Sequence, residues 1–271
     1  MNNNSNIINN ESVSSDDHNL NIDKIDLGII TYLNSNSKPE ILNKCIEFIN
    51  LNITEKLPLL VYYTDDIDIN EYKGFIKIKD LELDRNKKTH KIISSKCFLY
   101  KKPNLRTKLN KKIYFNSKIS ILNKKNNFVQ ITLGWILKKN IKPINFKKKH
   151  FCDNFKVYLN SKYLWGGNSP EGLDCSALVQ ELLKFNNIYS PRDSKDQKIF
   201  FKKKITINKI TKGDLLFWKG HVAIALNNKK LIHAFGPKKK VVVMGIKETI
   251  NKIYLKSKLP LQCIKRIKKI N

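Results

Sequence analysis

A cysteine and two histidines in the second half of this chain have the residue types that nucleophilic catalysis requires. Cys175 directly follows Asp174, a favoured helix N-cap residue, at the start of a segment with helical apolar spacing. A helix N-terminus lowers the pKa of a thiol and offers backbone N–H groups to an oxyanion. The sequence therefore predicts an activated thiol in the first turn of a helix.

The base for this thiol is sought among the five histidines of the chain, which are His18, His90, His150, His221 and His233. His18 falls in a polar N-terminal tail, and His90 and His150 flank a β-rich region. His221 and His233 share the domain of Cys175. His221 opens the alternating segment GHVAIAL, in which Ala223 and Ala225 share its face. Such small neighbours predict a cleft rather than a packed core.

The position of His233 depends on the register of a predicted hairpin. A three-residue loop after GHVAIAL places His233 opposite Ala223, as a diagonal neighbour of His221 on the same face. A slip of one residue turns His233 to the other face. In the first register, His233 is able to orient His221, as the third member of a catalytic triad does.

The elements around these residues predict an α+β domain. A helix is expected over Asp174–Phe185, because Leu178, Leu182 and Phe185 lie on one stripe. Four strand signals follow it as an antiparallel meander, at Asp214–Trp218, His221–Leu226, Leu231–Phe235 and Val241–Met244. A tight turn is expected at Gly166–Gly167, and Trp135, Trp165 and Trp218 are expected to pack in cores.

The first half of the chain reads as a tail and β-rich modules. Residues 1–24 are rich in Asn, Ser and Asp and predict a disordered tail. Residues 25–86 contain strand signals and one helical stretch at Glu40–Ile49. Residues 87–146 show five short strand signals separated by turns, which favours a small barrel, at Cys97–Tyr100, Lys112–Phe115, Lys118–Leu122, Phe128–Thr132 and Trp135–Leu137.

Composition excludes several other classes of protein. No apolar run is long enough for a membrane span, and no secretory signal is visible, so a cytoplasmic location is expected. Five scattered cysteines without CxxC spacing argue against disulfides or zinc. The net charge of +29 comes almost wholly from lysine, since only four basic residues are arginine, so we interpret it as A/T-rich codon usage and expect no nucleic-acid partner. No cofactor or metal is expected, and oligomeric state is left open.

Four sequence blocks in residues 150–271 resemble the NlpC/P60 cell-wall peptidases. The blocks are YLWGGNSPEGLDCSALVQ, SPRDSKDQ, KGDLLFWKGHVAIAL and IHA, and they follow the order of that family. Ala177 departs from the glycine that the family usually has. The stretch NNFVQITLGWILKKNI resembles the end of a bacterial SH3-like domain, and GFIKIKDLEL at 74–83 is similar to the start of an eroded one.

The resemblance implies a papain-like catalytic domain at 150–271, preceded by an SH3-like domain at 87–146 and a degenerate one at 25–86. It implies Cys175 as nucleophile, His221 as general base and His233 as the orienting residue. Tyr163 would hold the oxyanion or the substrate. The remaining implied substrate-binding residues flank the nucleophile or line the cleft, and they are Asp174, Ser176, Arg192, Asp193 and Ser194. Asp193 would pair with a free substrate amine.

The activity that the resemblance implies is hydrolysis of murein peptides, at the γ-D-glutamyl–diaminopimelate bond and through a thioester. An SH3-like module that blocks one end of the cleft would impose a need for a free N-terminal L-Ala. Two alternatives remain open: a non-catalytic protein that binds cell-wall fragments, and an amidase or acyltransferase of the same architecture.

Overall fold

A computed structural model describes residues 29–32, 58–65, 68–77 and 87–267 of the chain. The chain divides into two compact units, residues 1–85 and 86–271. The predicted tail at 1–24 and the predicted helix at Glu40–Ile49 lie outside the described residues. Among the residues described, no helix combines the length and the apolar character that a bilayer crossing requires.

The described part of the first unit is a three-stranded sheet. Its strands are β1 (Ile29–Tyr32), β2 (Pro58–Asp65) and β3 (Asp68–Lys77). β2 is central, pairing in parallel with β1 and antiparallel with β3. Strands were predicted at Leu59–Tyr63 and around Phe75–Ile76, and both positions are confirmed. The assignment of 25–86 as a degenerate SH3-like domain stays a prediction.

The second unit begins with a module of eight short strands, which we call the β module (residues 87–146). The strands are β4 (His90–Ile92), β5 (Lys96–Tyr100), β6 (Lys108–Tyr114), β7 (Lys118–Ile119), β8 (Asn123–Lys125), β9 (Phe128–Ile131), β10 (Gly134–Leu137) and β11 (Ile141–Pro143). They form one sheet in the order β6-β5-β10-β9-β8 and another in the order β11-β4-β7. Ile92, Val129 and Ile136 fill the core between them. All five predicted strand positions carry a strand, and the SH3-like identity stays a prediction.

The helix that carries the candidate nucleophile is α1 (Cys175–Phe185). The Asp174 side chain caps it by accepting a hydrogen bond from the backbone N–H of Ala177 at 2.9 Å. The apolar stripe of Leu178, Leu182 and Phe185 is buried. The helix, its cap and the place of Cys175 in its first turn are thus confirmed. Two further helices follow, α2 (Ser194–Phe200) and α3 (Ile246–Ser257).

A short hairpin, β12 (Asn168–Ser169) and β13 (Gly172–Leu173), precedes α1. A six-stranded antiparallel sheet packs against α1, and its strands are β14 (Lys204–Ile205), β15 (Leu215–Trp218), β16 (His221–Ala225), β17 (Lys230–Phe235), β18 (Lys240–Gly245) and β19 (Cys263–Lys265). Their order in the sheet is β14-β19-β15-β16-β17-β18. The predicted meander is confirmed to within one residue at each strand end, and so is the α+β class.

The two faces of this sheet bury separate clusters of apolar residues. Val222 and Ile224 pack with α1 and Cys175 on one face. Ala223 and Ala225 pack with Met244 and neighbouring side chains on the other. The small residues beside His221 were expected to line a cleft, and for Ala223 and Ala225 this was wrong, because both are buried in an apolar cluster that includes Met244 of β18 and residues of α3.

The β module packs directly on α1. Phe115 stacks on Phe185 with ring centroids 4.9 Å apart, and the Asn116 amide donates to the Glu181 carboxylate at 2.9 Å. The buried Lys91 ammonium donates to the carbonyl of Phe185 at the helix C-terminus, where a positive charge interacts favourably with the negative end of the helix dipole. The β module therefore holds the end of α1 that lies opposite the candidate nucleophile.

Candidate active site

The turn before the hairpin places the backbone close to the start of α1. Gly166 has a φ of +76°, a value that residues with a side chain rarely adopt. A Cβ on Gly167 would lie 2.5 Å from the carbonyl oxygen of Gly172, so no larger residue fits. The predicted tight turn at Gly166–Gly167 is confirmed, and it lets strand β13 lead directly into Asp174 and Cys175.

Cys175 lies between its own helix and the first residues of β16. Cys175 is 6% exposed, and backbone hydrogen bonds from Val222, Ser176 and Cys175 itself act to lower the pKa of its thiol. Val222 directly follows His221 in the chain, so the sulfur lies at the end of β16 that carries this histidine. The structure thus places the thiol of α1 next to the strand that begins with His221.

The expected activation of the thiol by the helix is not what the structure shows. Burial raises the pKa of the Cys175 thiol to about 11, and the three backbone donors offset only part of this effect. The desolvation of a thiolate outweighs the helix terminus because the site is nearly closed. Cys175 is therefore a neutral thiol at pH 7 and needs a base to become a nucleophile.

His221 and His233 contact each other through their ring nitrogens. His221 Nε2 lies 2.9 Å from His233 Nδ1. The three-residue loop Asn227–Lys229 sets the register, in which Ile224 pairs with Ile232 and Ala225 with Leu231. This is the first of the two registers considered above, and it puts both imidazoles on one face of the sheet.

Both imidazoles lie in apolar surroundings. Desolvation lowers the pKa of His221 to about 4. The pKa of His233 falls to about 2, through desolvation first and then the positive charges of His221 and Lys238. Phe235 stacks on His233 with ring centroids 4.5 Å apart. Both rings are therefore neutral at pH 7, the state in which His221 is able to accept a proton.

Tyr163 lies beside the thiol. It forms an isolated parallel bridge with Leu173, two residues before Cys175. Burial raises the pKa of its hydroxyl, and the charges of Cys175 and Asp174 raise it further. The hydroxyl thus remains protonated at pH 7, on a side chain that packs against the apolar cluster containing Cys175.

Asp174, Ser176 and Arg192 form a buried network under the nucleophile. The Arg192 guanidinium donates to both carboxylate oxygens of Asp174, at 2.9 and 2.6 Å, and to the Ser176 hydroxyl at 3.0 Å. Ser176 donates to Asp174 as well. The carboxylate of Asp174 is thereby occupied within the protein, and this network holds the first turn of α1.

Asp193 and Ser194 stand apart from this network. Asp193 is exposed at the N-terminus of α2, and Ser194 is partly buried as the first residue of that helix. Within the described residues, the Asp193 carboxylate has no side-chain hydrogen bond or ion pair. Its charge is therefore available to a ligand.

Gln197 is a positioning residue that the sequence reasoning missed. Its side chain is fully buried, and Nε2 donates to the carbonyls of Ser176 and Pro191 at 2.9 Å each. It therefore ties α2 to the backbone beside Cys175. Gln197 ends the block SPRDSKDQ, and its helical spacing from Asp193 was the available signal.

The three tryptophans divide between core and surface. Trp218 is buried as predicted and Trp135 is partly buried, whereas Trp165 is 86% exposed. Packing was expected for all three, and for Trp165 this was wrong, because its side chain, next to the Gly166–Gly167 turn, faces solvent. Among the described residues, no group of three or more His, Cys, Asp or Glu side chains is arranged to hold a metal ion.

Comparison with known proteins identifies the domain that contains this site. Residues 160–259 match the model of the NlpC/P60 family. The chain is 43% identical over 77 residues to dipeptidyl-peptidase 6 of Lysinibacillus sphaericus, a match that covers 28% of each protein. It is 28% identical over 203 residues to gamma-D-glutamyl-L-lysine dipeptidyl-peptidase of Bacillus subtilis, covering 68% of this chain and 67% of that one.

A solved structure shares the fold over most of the chain. It is an NlpC/P60 family protein from Bacillus cereus, with a TM-score of 0.62 and 21% sequence identity. The likeness covers 75% of this chain and 72% of the other. The chain thus contains an NlpC/P60 family domain, and its α+β fold is that of a known NlpC/P60 protein.

Proposed function

We propose that this protein is a cysteine peptidase that hydrolyses murein peptides at the bond between γ-D-glutamate and diaminopimelate. The observation that carries the proposal is the 2.9 Å contact of His221 with His233. His221 begins the strand whose next residue, Val222, acts through its backbone on the pKa of the Cys175 thiol. The match of residues 160–259 to the NlpC/P60 family supports it. A relative named gamma-D-glutamyl-L-lysine dipeptidyl-peptidase also supports it, because the bond in that name differs from the proposed one only in the diamino acid.

The proposed reaction begins with a neutral thiol and a neutral imidazole. His221 removes the proton of Cys175 as the sulfur attacks the γ-glutamyl carbonyl carbon. The backbone N–H of Cys175 and the Tyr163 hydroxyl donate to the oxyanion that forms. Protonated His221 then passes its proton to the leaving amine, and the C–N bond breaks to leave a thioester.

Hydrolysis of the thioester completes the cycle. His221, neutral again, removes a proton from water as its oxygen attacks the thioester carbonyl. The C–S bond breaks, the glutamyl carboxylate leaves, and the proton returns to the sulfur. His233 keeps the ring of His221 in place through both steps, which is the role of the third group in a catalytic triad.

The two carboxylates next to the site have different roles in this proposal. Asp174 is neutralised by Arg192, so together with Ser176 and Arg192 it shapes the backbone around the nucleophile and presents it to the substrate. Asp193, which precedes Ser194 at the start of α2, is exposed and holds the free N-terminal amine of the peptide. The ammonium group of the peptide provides the positively charged partner that the Asp193 carboxylate does not have among the described residues.

The β module is assigned as the SH3-like domain at 87–146 that precedes the catalytic domain at 150–271. Glu171, in the hairpin that leads to Cys175, forms ion pairs with Lys96 and Lys112 of the β module. The β module therefore lies against the loop that borders the nucleophile. From that position it restricts the cleft to peptides with a short, free N-terminal end.

The test is cleavage of L-Ala-γ-D-Glu-diaminopimelate, followed by mass spectrometry of the products. We expect L-Ala-γ-D-Glu and free diaminopimelate, with little cleavage when the N-terminus is acetylated. The L-lysine peptide provides a second substrate, because both diamino acids present the same leaving amine. Transfer of the glutamyl group to an added amine would instead identify an acyltransferase, and release of L-Ala alone would show that a different bond is cleaved.

A non-catalytic binding protein is distinguished by the reactivity of its cysteines. With His221 as base, Cys175 reacts with a thiol probe faster than the buried Cys97 and Cys152, and His221→Ala removes this advantage. Equal labelling of all three, together with unchanged peptide, would show that the site only binds.

A further inference from the structure

Met244 contacts the far side of His233. Met244 lies on β18, is 5% exposed, and places its sulfur 3.4 Å from His233 Nε2. His233 is fully buried. Within the described residues, no other side chain or carbonyl forms a hydrogen bond with that nitrogen. The environment of Nε2 is therefore decided by one thioether.

The chemistry of a thioether allows only one direction for this contact. The sulfur of methionine carries lone pairs but no hydrogen, so it accepts and never donates. A neutral imidazole has one N–H and one bare nitrogen, and the bond made by one nitrogen determines the state of the other. The proton of His233 thus lies on Nε2, and its Nδ1 is an acceptor.

The direction of the His233–Met244 hydrogen bond also determines which nitrogen of His221 carries the proton. Because His233 Nδ1 accepts, His221 Nε2 must carry the proton in the 2.9 Å contact between the rings. His221 Nδ1 is then bare and able to take the proton of a thiol. The opposite arrangement, with His233 donating from Nδ1, satisfies the same contact equally well. It leaves the proton on His221 Nδ1, where the ring cannot act as the base for Cys175.

We propose that Met244 is a positioning residue that selects the tautomer of His233 and, through it, the tautomer in which His221 serves as base. The contact between the two histidines does not choose between the two arrangements, and the thioether does. The catalytic consequence rests on the proposed function, whereas the tautomers themselves are a property of the folded protein. The two claims are therefore separable by experiment.

The direct test is nitrogen NMR of protein labelled with 15N-histidine, at neutral pH and without substrate. The imidazole shifts distinguish N–H from bare nitrogen, so we expect both rings to carry the proton on Nε2. A wild-type spectrum with the proton on Nδ1 of His233 overturns the proposal. This measurement needs no variant and no activity.

Met244→Leu keeps the size of the side chain and removes the acceptor. We expect a mixture of tautomers in both rings and a fall in kcat of about tenfold with KM unchanged, because a buried N–H loses its partner. Ile246→Leu is the matched control, since it changes the same apolar cluster without touching His233. Wild-type protein labelled with selenomethionine keeps an acceptor at this position and should retain the wild-type shifts; Met1 and Met244 are the only two methionines of the chain.

The outcomes separate the two claims. Unchanged 15N shifts in Met244→Leu overturn the role of Met244, whatever the activity. Altered shifts in a protein that cleaves no murein peptide, even as wild type, leave the role of Met244 standing and reject the peptidase.

Discussion

Two cysteines of this domain differ in their surroundings: Cys152 contacts a histidine directly, whereas Cys175 lies next to the strand that begins with His221. Cys152 Sγ lies 3.3 Å from His150 Nδ1, and the carbonyl of Lys212 accepts from the same ring. This pair thus has a thiol, a base and an orienting group. Burial raises the pKa of Cys152 to about 12, much as it raises that of Cys175 to about 11.

The two sites differ in whether a substrate can reach the sulfur and in which hydrogen-bond donors surround it. Cys152 is fully buried, with no path for a carbonyl carbon to reach it. Cys175 keeps a small exposed fraction and has backbone donors at its helix start and the Tyr163 hydroxyl nearby. Contact between a thiol and an imidazole therefore does not by itself define a nucleophile; an approach for the substrate and donors for the oxyanion are also needed.

The strongest test of this comparison replaces each cysteine in turn. Cys175→Ala should lower kcat by at least about 1,000-fold, because no other group forms the thioester. Its free energy of unfolding should stay close to that of wild type, since alanine suits the first turn of a helix. Peptide cleavage and urea unfolding measure the two effects. Residual activity above one hundredth of wild type would mean that Cys175 is not the nucleophile.

The buried ion pair under Cys175 gives the next largest effect. Arg192→Leu leaves the buried Asp174 carboxylate uncompensated and should lower the free energy of unfolding by about 3 kcal/mol. Urea unfolding measures it, with the exposed Arg106→Leu as control. An equal, small effect in both variants would show that the pair contributes little.

This loss should depend on pH. Burial alone would raise the pKa of Asp174, but hydrogen bonds from Arg192, Ala177 and Gly166 bring it below its ordinary value. The pair therefore stabilises the wild type above about pH 4, and its contribution disappears as the pH falls through the lowered pKa. The difference in the free energy of unfolding between wild type and Arg192→Leu should therefore become smaller below about pH 4.

The fall of kcat/KM at low pH tests how strongly His221 is desolvated. Desolvation holds the pKa of His221 at about 4, so kcat/KM should stay level from pH 7 to pH 5 and fall tenfold per unit below about pH 4. His150→Gln should leave this limb in place, because that histidine belongs to the other pair. Circular dichroism at each pH excludes unfolding as the cause. A limb near pH 6.5 would show that His221 is hydrated.

The smallest effect is expected at the second cysteine. Cys152→Ala should leave kcat/KM within about twofold of wild type and lower the free energy of unfolding by about 1 kcal/mol, as the loss of one buried sulfur implies. Activity and urea unfolding are compared with those of Cys175→Ala. A large loss of activity at equal stability would make the two sites alike and remove the distinction drawn above.

Local elements around the site were predictable because their signals lie close together in the chain. Asp174 before an apolar stripe predicted the cap and α1, and alternation in GHVAIAL predicted β16. The direction of the Cys175 pKa shift, the exposure of Trp165 and the packing of Ala223 and Ala225 were all predicted wrongly. Each depends on which distant elements cover a residue, and apolar spacing does not report that.

The amino-acid order alone determined the helix that begins at Cys175, the strands that carry His221 and His233, and a three-residue loop compatible with their pairing. Tertiary structure decided the rest: that Arg192 neutralises Asp174, that Gln197 holds the backbone beside the thiol, and that a methionine of β18 contacts His233 on the neighbouring strand. The reason is physical, since caps and alternation act within a few residues, whereas desolvation and hydrogen-bond direction are set by groups that only folding brings together.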